Sequence, residues 1–247
     1  MKKEITEILP GIEIQGLCLY LRNEDTLIFA DLHLGYEEEL RKIGMLVPCF
    51  QYTEVITHLE KVISSIKKGG KIARAVINGD LKHEFGRISE QEWSEVVRFL
   101  YFLEKHFEEI VLVRGNHDNI LGPIAGRKGL SVVDHLFLDK EGIYIAHGQK
   151  IPDDVVFKKA KVVIIAHDHP AVSLRDSART EKVKCFLRGK WKKKTLIQIP
   201  SMCFATIGSD PMAEDVLSPF LEKNRESFDA YCVEGLEIFY FGKLRNI

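Results

Sequence analysis

Five times in this chain an apolar run of strand length ends on, or just before, a histidine or an aspartate. Thr26–Ala30 leads into Asp31-Leu32-His33, and Ala73–Ile77 into Gly79-Asp80. Glu109–Val113 precedes Gly115-Asn116-His117-Asp118, Ile143–Ala146 precedes His147-Gly148, and Val162–Ala166 precedes His167-Asp168-His169. Polar groups so far apart meet only if a parallel-stranded core delivers them to one edge, the usual place for ligands in open α/β sheets.

Helical segments lie between the early runs. Tyr36–Ile43 is stopped by Gly44, and Thr53–Lys67 carries Val55, Ile56, Leu59, Val62, Ile63 and Ile66 at helical spacing. Lys67-Lys68-Gly69-Gly70 is a cationic, glycine-terminated helix end. Ser89–Lys105 is amphipathic, with Ser89 as N-cap and Glu92 three residues on. Leu17–Leu21 and Thr26–Ala30 read as strands around the turn Arg22–Asp25, and Ser131–Val133 and Ile143–Ala146 as antiparallel neighbours. Val183–Leu187 and Thr195–Ile199 read as a hairpin with the basic tip Arg188–Lys194, and Leu236–Phe241 as the last strand.

Early βαβ units followed by β-rich sequence imply an α/β protein of two packed sheets with helices outside. No repeat or Pro/Gly/Ser-rich linker divides it, so residues 1–247 are expected to form one domain. With 45% hydrophobic residues the chain can bury a substantial core, and its net charge of −1 gives no global field for nucleic acid. The apolar runs fall far below the roughly 20 residues of a membrane span, and Met1–Ile5 has no apolar leader core. Five scattered cysteines without a C-x-x-C pair argue against a zinc ribbon or disulfide frame, and for the cytoplasm.

The polar fragments offer carboxylate, imidazole and carboxamide donors. Asp31 and His33 sit two apart, so an extended or turning backbone puts both on one side. Gly79 lets the backbone approach closely, and Asp80 could bridge two cations. Asn116 offers a carbonyl oxygen, and His147, His167 and His169 offer ring nitrogens. Such mixed N/O sites suit manganese, iron or zinc. Two ions roughly 3.5–4 Å apart polarise a phosphate ester and make hydroxide available near neutral pH. His117, beside a ligand but not needed as one, is the candidate proton donor. Asp118 either orients His117 or caps a following helix at Asn119–Leu121.

The ordered set D-x-H, G-D, G-N-H-[DE], H and A-H-x-H over residues 31–169 resembles the calcineurin-like metallophosphoesterase superfamily. The resemblance implies a four-layer α/β/β/α sandwich of two mixed β-sheets flanked by helices. It also implies two divalent metal ions, with Mn2+ expected and Fe, Zn, Ni or Co as substitutes. By it, Asp31, His33, Asp80 and His169 would hold one metal. Asp80, Asn116, His147 and His167 would hold the other, with His117 and Asp80 in the catalytic set. Ala166 stands where the pattern has glycine. Leu81–Gly86, which lacks an acidic residue several relatives carry, resembles the narrower ICC-like, PdeM-type group, as do Pro200-Ser201 and Gly208-Ser209-Asp210. That group implies association with a DNA ligase or a large helicase.

The expected activity is therefore a phosphodiesterase or nuclease acting on nucleic acid in DNA repair. A phosphomonoesterase, a cyclic-nucleotide phosphodiesterase and a non-catalytic scaffold in a repair complex are the alternatives. Lys82, His83, Arg114 and Asn116 are candidate substrate contacts. Lys82 and His83 could instead lie in a solvated loop, and Arg114 could pair with a surface carboxylate. Around Trp191, the cluster Arg188, Lys190, Lys192, Lys193 and Lys194 reads either as a nucleic-acid platform or as an ordinary soluble turn. His58, His106 and His135 stand outside any motif and are read as ordinary surface or core residues.

Overall fold

A computed structural model describes residues 6–67, 69–83, 89–118, 130–176 and 179–247. The first sheet is ordered β1 (Thr6–Leu9), β2 (Ile12–Gln15), β3 (Cys18–Leu21), β4 (Thr26–Phe29), β5 (Ile72–Asn78), β6 (Phe107–Val113), β7 (Leu130–Val133). From β4 to β7 it is parallel, and from β1 to β4 antiparallel. The second is ordered β15 (Glu237–Lys243), β14 (Asp229–Glu234), β12 (Arg179–Trp191), β13 (Lys194–Gln198), β10 (Val162–Ile165), β9 (Ile143–Ile145), β8 (Leu136–Leu138), with β11 (Ala171–Asp176) paired to β12. Here β9, β10 and β13 are parallel neighbours.

The alternation along β10 shows the layering. Ile164 belongs to a core that spans both sheets, including Ile14, Ile77, Phe186 and Tyr231. Val163 and Ile165 belong to a second core on the outer face, with Phe157, Phe220 and Phe228. Both faces of the strand are therefore covered, as parallel strands require. Helices α1 (Tyr36–Lys42), α2 (Gln51–Ile66) and α3 (Glu90–His106) follow strands of the first sheet, and the short α4 (Val155–Lys159) seats Phe157 against the second. The α3 residues Val96, Phe99, Leu100 and Leu103 are buried at helical spacing. Its N-cap is Ser89, whose Oγ accepts from Glu92 N at 3.1 Å, a contact that stabilises by about 1 kcal/mol. Among the described residues no helix is long and apolar enough to cross a membrane.

Three expectations are corrected. Ser131–Val133 and Ile143–Ala146 are not neighbours: β7 pairs in parallel with β6, whereas β9 pairs with β10 and, antiparallel, with β8. An apolar run marks a strand without naming its partner, and the closer run Leu136–Leu138 takes the hairpin position. The basic tip is shorter than read, because β12 continues to Trp191 and only Lys192 and Lys193 form the turn. Arg188 lies in the sheet, donating to Asp229 at 2.7 Å and stacked 5.5 Å from the Tyr231 ring. Trp191 is half-buried, packing on Phe157 and Phe220 with the Lys192 ammonium 4.4 Å from its ring centroid. Finally, β1, β2, β8, β11 and β14 are strands outside those expected. Four of the five cysteines are buried, and Cys49 is exposed. The Lys68 of the expected helix end, the Glu84–Gly86 part of the narrower resemblance and the helix at Asn119–Leu121 lie outside the described residues.

Candidate metal centre

The carboxyl ends of β4, β5 and β6 in one sheet and β9 and β10 in the other point to a single edge, where all five fragments meet. Backbone bonds lock the loops together: Asp31 N donates to Gly79 O and His33 N to Asp80 O, both at 3.0 Å. The two sheets are joined by Asn78, whose Nδ2 donates to Ala146 O at 3.0 Å while its carbonyl accepts from His147 Nδ1 at 2.9 Å.

That last bond settles which face His147 offers. A carbonyl only accepts, so Nδ1 carries the proton and Nε2 turns inward. There it lies 3.2 Å from Asp80 Oδ2, 3.1 Å from Asn116 Oδ1 and 3.2 Å from His167 Nδ1. A second group meets beside it. His33 Nε2 is 3.1 Å from His169 Nε2 and 3.9 Å from Asp80 Oδ2, and His169 Nε2 is 3.7 Å from Asp31 Oδ1. Asp80 Oδ2 faces both groups. Asp31, His33 and His169, and separately Asp80, His147 and His167, have donor atoms close enough to share an ion.

The donor set fits divalent cations on a further observation. Asp31 Oδ1 is fully buried and, among the described residues, has no partner within hydrogen-bond distance, the His147 and His169 rings each approaching only to 3.7 Å. Leaving such an oxygen unpaired costs free energy that a bound cation removes. Burial pulls the Asp31 carboxyl upward, but His169 and His147 outweigh it and hold it below its ordinary value. Asp80 is likewise held low against burial, chiefly by His147. Burial and the neighbouring His169 push His33 down to about 3, which keeps it neutral and able to donate a lone pair. Burial opposes protonation of His147, yet Asp80 and Asp31 raise it to about 9: the carboxylates demand positive charge at this point.

Backbone conformation marks the same residues. Asp31, His33, Asp80, His167 and His169 all have φ between 46° and 77°, five of the eight non-glycine residues in the left-handed region among those described. Each costs on the order of 1–3 kcal/mol unless the surroundings enforce it, and such costs gather at functional sites. Glycine appears where even a methyl group would collide: a Cβ on Gly79 would strike the His147 ring, and one on Gly115 the Asp80 carboxylate.

His117 stands beside the ligands. Its backbone N donates to Asp80 Oδ1 at 2.9 Å, its Nδ1 bonds the carbonyl of His83, and its Nε2 is 4.0 Å from Asp80 Oδ2. His83 itself was expected only as a substrate contact or a solvated residue. Its Nδ1 is 3.3 Å from Nδ1 of His33 and its Nε2 pairs with the Glu39 carboxylate. Were His33 to ligate through Nε2, its Nδ1–H would need an acceptor, and His83, oriented by Glu39, stands where it would supply one. A pocket of about 210 Å³ opens here, lined by His33, Tyr36, His83, His117, His169, Cys203 and Thr206.

Other candidates fall elsewhere. The Lys82 side chain is fully buried, which overturns the solvated-loop reading for it, and it is not among the pocket-lining residues. Arg114 pairs with Asp134 at 3.0 Å, the surface carboxylate reading. Asp118 is buried and accepts from Asp80 N, Gly115 N and Leu81 N at 2.8, 2.9 and 3.2 Å, tying two ligand loops together. Burial and the nearby Asp80 charge raise it to about 6. Of the motif-free histidines, His58 is a satisfied core residue that accepts from Leu17 N at 3.0 Å.

Sequence reasoning missed three supports: Glu39, Gln51 and Lys184. Gln51 Nε2 donates to Leu32 O (2.7 Å) and Met202 O (3.3 Å), while its Oε1 accepts from Phe204 N (2.6 Å) and Ala205 N (3.1 Å). Lys184 Nζ donates to Ser201 O, Ser201 Oγ and Cys203 O at 2.9, 2.8 and 2.6 Å. Together they hold the 199–206 loop against the ligands. The Gly208–Asp210 stretch closes the other side, with Ser209 N donating to His169 O at 3.0 Å. The one signal for Gln51 was a polar residue on the helix face that carries Val55, Leu59 and Val62; Lys184 shares its strand face with Lys182 and Arg188 and gave none.

A sequence profile described as calcineurin-like phosphoesterase matches residues 25–231. No curated protein matches the chain in sequence. In fold it is similar to the nuclease MPE of Pseudomonas putida, with a TM-score of 0.65 at 16% identity over 96% of this chain and 99% of that one. Weaker likenesses include the Aquifex aeolicus protein of unknown function AQ665, with a TM-score of 0.39 at 17% identity over 58% of this chain and 78% of that one. Vacuolar protein sorting 29 of Cryptosporidium parvum has a TM-score of 0.39 at 14% identity over 88% and 97%. The profile spans most of the chain, its sheets are those of the fold, and the ligand fragments converge as the pattern requires: this protein belongs to the calcineurin-like phosphoesterase family.

Proposed function

We propose that this protein is a two-metal phosphodiesterase that cleaves nucleic acid, with manganese as the working ion. The observation that carries the reading is Asp80 Oδ2, which faces both ligand groups and so suits a bridging carboxylate. Asp31, His33, Asp80 and His169 would hold one cation, and Asp80, Asn116, His147 and His167 the other. When bound, the cations supply positive charge at the phosphate and a water of lowered pKa.

The chain's own groups do the rest. Because His117 Nδ1 is bonded to a carbonyl, its Nε2 is the nitrogen turned toward Asp80 and the pocket, where a proton can pass to the departing oxygen. The pocket lining supports a diester over a monoester. Among the described residues it contains histidine, tyrosine, cysteine and threonine but no lysine or arginine. A phosphomonoester carries about 1.5 to 2 negative charges near neutral pH and gains most from such cations, whereas a diester carries about one. The nuclease MPE shares the fold and motivates nucleic acid as the first polymer to test.

The test is a panel of single-stranded DNA, duplex, RNA, cyclic nucleotides and aryl mono- and diesters, run with manganese and with other divalent ions. Cleavage of diesters and single strands is expected. Faster turnover of monoesters, or of cyclic nucleotides with polymers left intact, would replace the proposal with the corresponding alternative. No hydrolysis by metal-loaded protein would favour the scaffold reading, which the retention of all eight expected site residues argues against. The scattered cysteines support a cytoplasmic protein, and the narrower resemblance supports association with a DNA ligase or large helicase. Co-purification with one is expected, and recovery of the chain alone from its own cells counts against it.

A further inference from the structure

The first residue of α1 sets one more polar group beside the metal pocket. Gly35, with φ of 89°, turns the chain from Asp31-Leu32-His33 into the helix, and a Cβ there would strike the Glu92 side chain. The turn is pinned on both sides: Leu34 N donates to Leu81 O and Tyr36 N to His33 O, each at 3.1 Å. Tyr36 and Glu39 then share a helix face, and both reach His83. The Tyr36 ring lies edge-on to His83 at 4.5 Å between centroids, and Glu39 pairs with its Nε2. His83 in turn stacks on His117 at 5.3 Å. Tyr36, His83 and His117 thus form one wall of the pocket, with the proton donor at the end next to Asp80.

The other polar groups around the pocket are engaged or shielded. His33 and His169 belong to the ligand set, and His83 is committed to His33 and Glu39. Thr206 Oγ1 is buried, and Cys203 is 1% exposed and a weak donor besides. Tyr36 differs: it is half-buried, and its hydroxyl makes no hydrogen bond among the described residues. Burial and the nearby Cys203 and Glu39 raise its pKa, so the phenol keeps its proton and can donate it in a hydrogen bond.

The wall also says which half of a substrate this donor meets. The bond being broken lies beside His117, so whatever the departing oxygen carries extends away from Asp80, past His83 and toward Tyr36. With no lysine or arginine around the pocket, that half is held by neutral groups. Building on the phosphodiesterase reading of the same site, we infer that the Tyr36 hydroxyl donates a hydrogen bond to an oxygen of the departing nucleotide. Tyr36 is then a specificity residue: a site built to bond an oxygen discriminates against leaving groups that lack one.

Hydrolysis of a dinucleotide and of methyl phenyl phosphate by manganese-loaded protein tests this, since the departing phenol carries no further oxygen. The wild type is expected to favour the dinucleotide. Tyr36→Phe, which keeps the ring, is expected to cut that preference in kcat/KM about ten-fold, the effect of one hydrogen bond. Manganese affinity, read by titration calorimetry, should not change, as it would if Tyr36 merely braced His83. A preference undiminished in Tyr36→Phe overturns the contact and leaves the phosphodiesterase reading standing. So does an equal loss on both substrates, or a fall in metal affinity. A wild type that cleaves neither ester sinks the phosphodiesterase reading itself, and this contact with it.

Discussion

The two ends of the parallel strands contrast in a way that cavity size alone would misjudge. At their amino ends, between β2 and β3 of one sheet and β9 to β13 of the other, lies a cavity of about 530 Å³. Lys158, Lys161, Lys190, Lys193 and Lys194 border it, with Glu24 and Glu141. At the carboxyl ends the pocket beside the ligands is less than half that volume. Yet the lysines of the larger cavity include side chains already donating to local oxygens: Lys194 to Lys158 O and Ala160 O, and Lys190 to Thr195 Oγ1. At the smaller, buried carboxylates and imidazoles face one another with an oxygen left unpaired, on backbone held in a costly conformation. Convergent polar groups held against their own energetic preference mark the chemistry, and volume does not.

The sharpest way to break this contrast is at Asp80. Asp80→Ala removes the one carboxylate common to both ligand groups, and hydrolysis is expected to fall to background with bound metal reduced in elemental analysis. Full activity would sink the site. Next in size is Glu39→Gln, which removes the carboxylate orienting His83 and through it His33. Loss of such an outer support weakens metal binding by about 10–100-fold, read by titration calorimetry with manganese. Unchanged affinity would reduce Glu39 to a surface residue.

A smaller effect concerns Lys184, whose ammonium burial pushes down to about 8 from an ordinary 10.5. Below about pH 8 both folded and unfolded states hold the proton, and the folded state bears the full burial cost. Between 8 and 10.5 the unfolded state binds more protons, so this group makes stability rise with pH, and above that window the cost is gone. Denaturant melts of the wild type against Lys184→Met should differ by that rising slope, and parallel curves would refute it. The smallest expected effect is at the opposite end. Changing Lys158, Lys190, Lys192 and Lys193 together to serine should leave hydrolysis of an aryl diester untouched. The salt slope of DNA binding should also stay constant, whereas each lost phosphate contact would lower it by about 0.9.

Much of the centre was legible because its ligands sit in short fragments directly after strands: a strand of the right polarity carries its last residue to a known edge. The supports were not legible for the converse reason. Gln51 is one polar residue at the start of α2, and Glu39 one acid among several in α1. Only tertiary contact gives them backbone or imidazole partners far away in the chain. Asp118 shows the middle case. Its place in Gly115–Asp118 drew attention, but its three amide partners belong to loops 3 and about 38 residues away.

The amino-acid order alone determined the α/β class, the five strand-end fragments and the kinds of donor atom present, since periodicity and side-chain chemistry are local properties. Tertiary structure decided which strands are neighbours, which nitrogen each imidazole turns inward, that Asp80 faces both ligand groups, and that Trp191 packs on Phe157 and Phe220. Those facts depend on distances between residues that the chain separates and only the packing of two sheets brings together.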